Sequence, residues 1–135
     1  MGRILGIDHG DVRIGIALSD PTAFLASSLC VLDSTNAGLD RIVALIGEHQ
    51  VDKIVVGLPR NMDGSYGPAT GKVRAFIEKL KTKTDVPVFE WDERLSTVSA
   101  HNALREAGFN GKKRKGVVDK VAAQIILQNY LDAQV

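Results

Sequence analysis

The sequence predicts an α/β fold: a mixed five-stranded sheet with antiparallel hairpins on one side and parallel crossovers on the other, flanked by helices. Three observations carry this. Short β-branched-rich runs open the chain in quick succession, as strands joined by hairpins do. A later run, Lys53 to Leu58, is apolar with little alternation, the pattern of a strand covered on both faces. From there strand and helix patterns alternate, which is the signature of parallel crossovers. The 135 residues fit one compact domain spanning 1–135.

The elements follow in order. Arg3 to Asp8 and Arg13 to Leu18 are joined by His9, Gly10, Asp11 and Val12, a length and composition suited to a hairpin. Ser28 to Asp33 is a third strand. Leu39, Ile42, Val43 and Ile46 recur at helical spacing behind the capping candidates Ser34, Thr35 and Asn36. Lys53 to Leu58 ends at Pro59, and residues 59–67 form a turn-rich loop. Pro68 suits the first position of a helix carrying Val73, Phe76, Ile77 and Leu80. Val86 to Trp91 is the fifth strand. Ser96 is placed to cap a helix with Ala100, Ala103, Leu104 and Ala107, and Gly108 to end it. The basic run Lys112 to Lys115 precedes a final helix from about Val117 to Leu131, which has apolar residues on more than one face and is expected to pack deeply.

Composition limits the function. A chain that is 44% hydrophobic and 24% charged is an ordinary folded protein. Its net charge of +1 means that any nucleic-acid surface must come from local clusters of Lys and Arg. No leader-like segment precedes the first strand and no apolar run approaches a membrane span. The one cysteine, Cys30, sits in an apolar run and reads as a packing residue. A reducing cytoplasm is the expected compartment.

The chemistry rests on acids at element ends. Asp8 closes the first strand, Asp92-Glu93 the fifth, and Asp119 falls in the first turn of the last helix as the pattern predicts it, with Ala123 and Ile126 below it. Each alone is equally well read as a turn former or a helix-dipole partner. Together they can converge on Mg²⁺ or Mn²⁺, which prefer carboxylate oxygens, and such ions hydrolyse phosphodiesters. The chain has no Cys/His zinc spacing, no Walker-type loop and no Gly-x-Ser-x-Gly elbow.

Several ordered motifs carry a resemblance over nearly the whole chain: Gly6-Ile7-Asp8-x-Gly10, Gly15-Ile16-Ala17-x-Ser19-Asp20, Val56-Gly57-Leu58-Pro59-x-Asn61-Met62-x-Gly64, Trp91-Asp92-Glu93-Arg94-Leu95-Ser96-Thr97, and Lys113-Arg114-Lys115 followed by Asp119-x-x-Ala122-Ala123. On these the sequence resembles the YqgF family, also called RuvX, of Holliday junction resolvase-like proteins and pre-ribosomal RNA nucleases. The resemblance implies a ribonuclease H-like fold related to the RuvC resolvases, with Asp8, Glu93 and Asp119 as catalytic acids and metal ligands. Among the adjacent acids it favours Glu93 over Asp92. It also implies maturation of the 16S ribosomal RNA precursor. One departure stands out: many relatives read Gly-Thr-Lys in the first turn, where this chain has Gly10-Asp11-Val12, which replaces a hydroxyl and a cation near the expected phosphates.

Substrate contacts are expected from Lys112, Lys113, Arg114 and Lys115, the densest cationic cluster in a nearly neutral chain. Arg94 is a candidate for the scissile phosphate, with strand-end pairing as the competing role. Arg60, Asn61 and Asp63 lie in a loop of functional length. His9, His49 and His101 are assigned no catalysis. The leading reading is a metal-dependent nuclease acting on precursor ribosomal RNA, with that RNA and the ribosomal particle as expected partners. The competing readings are cleavage of branched DNA and a non-catalytic assembly factor. An ATPase with two lobes is excluded by length. A monomer is expected, whereas a junction enzyme would require a dimer.

Overall fold

Strand β1 (Arg3–His9) takes the middle of the sheet in the computed structural model, and its residues explain why. Leu5 and Ile7 are fully buried toward one face, and Ile4 is buried toward the other, so this strand needs a covering layer on both sides. The structure describes residues 2–59, 67–92 and 111–134, the last stretch with side chains from residue 121 onward. Around β1 the sheet has the order β3-β2-β1-β4-β5. Strands β2 (Arg13–Ser19) and β3 (Ala26–Asp33) continue it antiparallel. Strands β4 (Val51–Leu58) and β5 (Val88–Asp92) run parallel to β1. The mixed five-stranded sheet expected from the sequence is present.

The differences in detail have local causes. β5 begins at Val88, two residues later than expected, because Pro87 has no N–H to give and joins the ladder only through its carbonyl, which accepts from Ile54 N at 2.9 Å. Helix α1 (Asn36–Glu48) is capped by Thr35, whose hydroxyl accepts from Gly38 N at 3.3 Å. Helix α2 (Pro68–Lys81) starts on Pro68, as expected, and the hydroxyl of buried Thr70 donates to the Pro59 carbonyl, fastening the helix to the end of β4. The last helix, α3 (Gly111–Ala133), begins six residues before the expected start near Val117. Lys and Arg are good helix formers and no proline intervenes, so the basic run extends the helix and is not a loop before it. The helix expected behind Ser96 lies outside the described residues.

The two faces of the sheet are packed differently. Helices α1 and α2 cover one face with large side chains such as Ile42, Phe76 and Leu80. Helix α3 covers the other, where Ala123, Ile126 and Leu127 meet Ile4, Ala17, Ala26 and Val55. The sheet's side of that interface is mostly small, and at Gly6 the helix comes very near the strand. A Cβ placed on Gly6 would lie 2.7 Å from Leu127 Cβ and 3.3 Å from the Ala123 carbonyl oxygen. Fully buried Ile126 and Leu127 each contribute roughly 1.5–3 kcal/mol of transfer free energy in this position.

Two glutamines set the direction of α3. Gln128 accepts from Ala26 N at 2.9 Å and donates to the Phe24 carbonyl at 2.9 Å. Gln124, one turn earlier, donates to the Ala26 carbonyl at 3.2 Å and accepts from Ser28 Oγ at 3.0 Å. Moving forward along β3 therefore means moving backward along α3. β3 and β1 share a direction, so α3 runs antiparallel to β1. The same bonds occupy polar backbone groups on an edge strand that would otherwise invite pairing with another chain.

Replacing Gly6 with alanine is expected to destabilise the fold by about 1–3 kcal/mol, since Leu127 Cβ is anchored to the helix backbone and cannot swing aside. Thermal unfolding should show a Tm lower by several degrees. An unchanged Tm would mean that α3 does not approach β1 this closely.

Candidate active site

The parallel strands β1, β4 and β5 end at one edge of the sheet, and the position just beyond parallel strand ends is where α/β proteins hold ligands. Asp8 stands at that edge. Strand alternation gives it the α3 face, since Ile4 contacts α3 and Ile7 and Leu5 belong to the opposite core. Its cross-strand partner is Gly15, and its neighbour two residues back is Gly6. The ladder from Ile7 to Val56 brings the next residue of β4, Gly57, level with Asp8. Asp8 is thus flanked on its own face by three residues without side chains: α3 fills the place over Gly6, and Gly15 and Gly57 leave a clearing among the described residues on either side of the half-buried carboxylate. The acid was legible in the sequence; this clearing was not singled out, although glycine inside a strand is a recognised mark of close approach by another group.

The antiparallel course of α3 brings Asp119 toward the same edge. Gly6 lies against Ala123; Asp119 is one helical turn before Ala123, roughly 5.4 Å of rise, and Asp8 is two strand residues beyond Gly6, roughly 6.6 Å. With Gly111 as the first helical residue, Asp119 occupies the third turn of α3 and not the first, which corrects the expected helix-start position. Lys112, Lys113, Arg114 and Lys115 likewise belong to the opening of α3. The side chains of these five residues are outside the described ones. So are Glu93, Arg94, Arg60, Asn61 and Asp63 altogether.

Asp92 does not share the face of Asp8. It ends β5 opposite Leu58, on the side where Glu90 meets Arg74 of α2 at 3.1 Å. His9 also turns away. Its ring stacks on Phe76 of α2 at 4.6 Å, and its Nε2 lies 3.3 Å from Ser34 Oγ. Burial lowers the His9 pKa below its usual value, with Asp11 opposing in part, so the ring is neutral at pH 7. A groove of about 600 Å³ opens beside it, between the first turn, the start of α1 and α2, on the face opposite Asp8. The unusual first turn is accounted for on that side. Gly10 N donates to the Arg13 carbonyl at 2.8 Å, Ser34 N donates to the Val12 carbonyl at 2.9 Å, and exposed Asp11 pairs with Lys72 at 3.1 Å. Val12 is left 65% exposed, where it offers a phosphate nothing.

Comparison with known proteins places this arrangement. The family model described as RuvX, Holliday junction resolvase, matches residues 2–133. A protein of Desulforamulus reducens named "Putative pre-16S rRNA nuclease" is 49% identical over 133 residues, covering 97% of both chains. One of Halothermothrix orenii with the same name is 50% identical over 134 residues, covering 98% of this chain and 96% of that one. Among solved structures, Thermus thermophilus RuvC bound to a Holliday junction superposes with a TM-score of 0.58 at 17% identity, over 99% of this chain and 96% of that one. The fowlpox virus Holliday junction resolvase gives 0.59 at 11% identity, over 98% and 99%. At such identities these two likenesses speak for the fold, which is ribonuclease H-like.

One motif acts at the other end of the sheet. Buried Ser19 accepts from Ile4 N at 2.8 Å, and Asp20 organises the β2–β3 connection by accepting from Phe24 N at 2.8 Å and Leu25 N at 2.9 Å and by pairing with Thr22 Oγ1. The Thr22 hydroxyl, then these amides, hold the Asp20 carboxyl down at about 2 from its ordinary 3.8. Because the folded pKa is the lower one, the stabilisation is complete above the ordinary value and is lost as pH falls toward the folded value. The Phe24 and Leu25 amide resonances should accordingly stay constant above about pH 4 and move with a midpoint near 2, while Asp20→Asn should flatten that titration. A midpoint at the ordinary carboxylate value would show that the connection is not held this way.

Proposed function

The chain belongs to the RuvX (YqgF) family of ribonuclease H-like nucleases, and from that premise we propose that it hydrolyses phosphodiester bonds in the precursor of 16S ribosomal RNA, working as a monomer in the cytoplasm. The observation that carries the reading is the placement of Asp8 at the carboxyl edge of the parallel strands, in a glycine-lined clearing toward which α3 carries Asp119. Among the described residues no helix is long and apolar enough to cross a membrane.

Asp8, Glu93 and Asp119 would hold divalent metal, Mg²⁺ or Mn²⁺. The donor chemistry fits, because Asp8 offers oxygen and the adjacent imidazole, His9, is engaged across the sheet with Phe76 and Ser34. Asp92 ends β5 on the α2 side, away from Asp8, which supports Glu93 over Asp92 as the proposed partner acid. Bound there, the metal would lower the pKa of an attacking water and offset charge on the phosphate. The protein's part is to fix the acids on a rigid edge, to keep space for the phosphate over Gly15 and Gly57, and to draw the substrate in. Arg94, Arg60 and Asn61 are proposed to orient the phosphate from the two neighbouring segments. Lys112, Lys113, Arg114 and Lys115, one to two turns ahead of Asp119, are proposed to bind the backbone of the RNA.

The isosteric change Asp8→Asn should lower metal-dependent cleavage of a labelled 16S precursor by at least roughly a thousandfold, equivalent to about 4 kcal/mol, with chelator abolishing the wild-type activity. Junction DNA assayed in parallel should be cut far more slowly than the RNA; the reverse preference would restore a resolvase. A folded Asp8→Asn protein that cuts at the wild-type rate would overturn the site. Neutralising Lys112, Lys113, Arg114 and Lys115 to glutamine should weaken RNA binding at low salt and flatten the plot of log K against log salt by about 0.7 for each phosphate that is no longer neutralised. An unchanged slope would show that these cations face solvent only.

A further inference from the structure

We infer that Lys53, Phe89 and Trp91 form a stacking track for a single strand of nucleic acid, leading across the α3 face to Asp8; the inference rests on the nuclease reading above. Phe89 and Trp91 are two apart on the edge strand β5 and therefore share a face. Trp91 is half-buried and fixed edge-on against Tyr130, with ring centroids 5.5 Å apart at 88°. Phe89 is open, 44% exposed. The Lys53 ammonium lies over the Phe89 ring, 5.5 Å from its centroid, and over that of Tyr130 at 5.7 Å, so a positive charge covers one face of the exposed ring and leaves the other for a base.

The chemistry selects the partner. A base can stack on Phe89 while its phosphate meets Lys53, which is the pairing of π-face and cation that single-strand binders use. An apolar protein surface would instead have to strip water from the ammonium without returning a charge. The other large exposed apolar group, Phe24 and Leu25 at the far end of the sheet, stands beside the carboxylate of Asp20 and would repel a phosphate.

Position completes the case. Phe89 is level with Val55 and so with Gly6; Trp91 is level with Gly57 and so with Asp8. Trp91 and Asp8 are two strand spacings apart, roughly 4.8 Å each, and the strand between them contributes Gly57, which raises no side chain in the way. A strand lying over Phe89 and Trp91 would thus deliver its backbone to the acid edge.

Trp91 is the only tryptophan in the chain, so its emission reports directly on the track. Titration of the full-length protein with a short unstructured oligoribonucleotide in EDTA, where no cleavage occurs, should quench this emission to saturation. Phe89→Ala should weaken binding about tenfold, the effect of losing one stacked base, and Phe89→Tyr should restore it. Lys53→Met should weaken binding and reduce its salt dependence. Binding by Phe89→Ala equal to wild type, at unchanged Tm, would overturn the track, as would wild-type binding that leaves Trp91 emission unmoved. Because the titration is independent of turnover, the two proposals separate. Normal oligonucleotide binding by Phe89→Ala alongside cleavage lost in Asp8→Asn would reject the track and keep the acid site, and the opposite pair of results would keep the track and reject the acid site.

Discussion

The close seating of α3 on β1 is the constraint on which the rest of the structure depends. Gly6 has no side chain, and the helix takes that space with Leu127 and the Ala123 carbonyl. Such an approach fixes how far along the strand the helix lies, because a shift by one residue would bring a larger side chain against a Cβ-bearing position. Gln124 and Gln128 fix the direction through bonds to β3. Distance, register and direction together determine which turn of α3 reaches the level of Asp8, and that turn contains Asp119. A catalytic constellation drawn from remote segments has to be held to fractions of an ångström. Here the packing over Gly6 fixes the backbone of that turn relative to β1.

The two faces of the sheet divide the work. Helices α1 and α2 meet one face with long branched and aromatic side chains, a thick core able to keep the sheet rigid. On the α3 face the sheet contributes the smaller Gly6, Ala17, Ala26 and Val55, and at Gly6 the helix comes close to the strand backbone. Alternation along each strand separates neighbours accordingly. His9 goes to Phe76 on the thick side while Asp8 remains on the other, and Asp92 joins Glu90 and Arg74. Adjacent polar residues such as Asp8 and His9 are therefore separated by the thickness of the sheet.

Much of this was legible in the residues because it follows from short-range pattern. The five strands, the start of α2 at Pro68 and the closing position of Asp8 all follow from runs and turns that depend on neighbours in the chain. The strand order needed the switch from hairpin spacing to strand and helix alternation, which the sequence also displays. What was not legible lies in long-range contact. The clearing formed by Gly15 and Gly57 beside Asp8 exists only once β2, β1 and β4 are side by side. The clamp of Gln124 and Gln128 on β3 joins residues about a hundred positions apart, and no local pattern marks them as partners. The start of α3 was misplaced because a basic run was read as a loop, although lysine and arginine favour helix as readily as they favour solvent.

With a net charge of only +1, the chain has few cations to spare for a nucleic acid, and their placement matters more than their number. A uniformly basic protein binds phosphate everywhere along its surface, and its affinity is spread over many registers. In this chain several cations among the described residues are paired with acids. Lys72 is spent on Asp11, Arg74 on Glu90, Arg41 on Glu48 and Lys83 on Asp40, so these cations offer little to a distant phosphate. The cations assigned here to substrate stand instead on the elements that frame the acid edge: the opening of α3 and, through Lys53, the strand that leads past Phe89 to Gly57. Pairing elsewhere makes that edge stand out. Sparse charge then favours productive placement over total affinity, since a strand gripped only along this path is held where the acids can act on it.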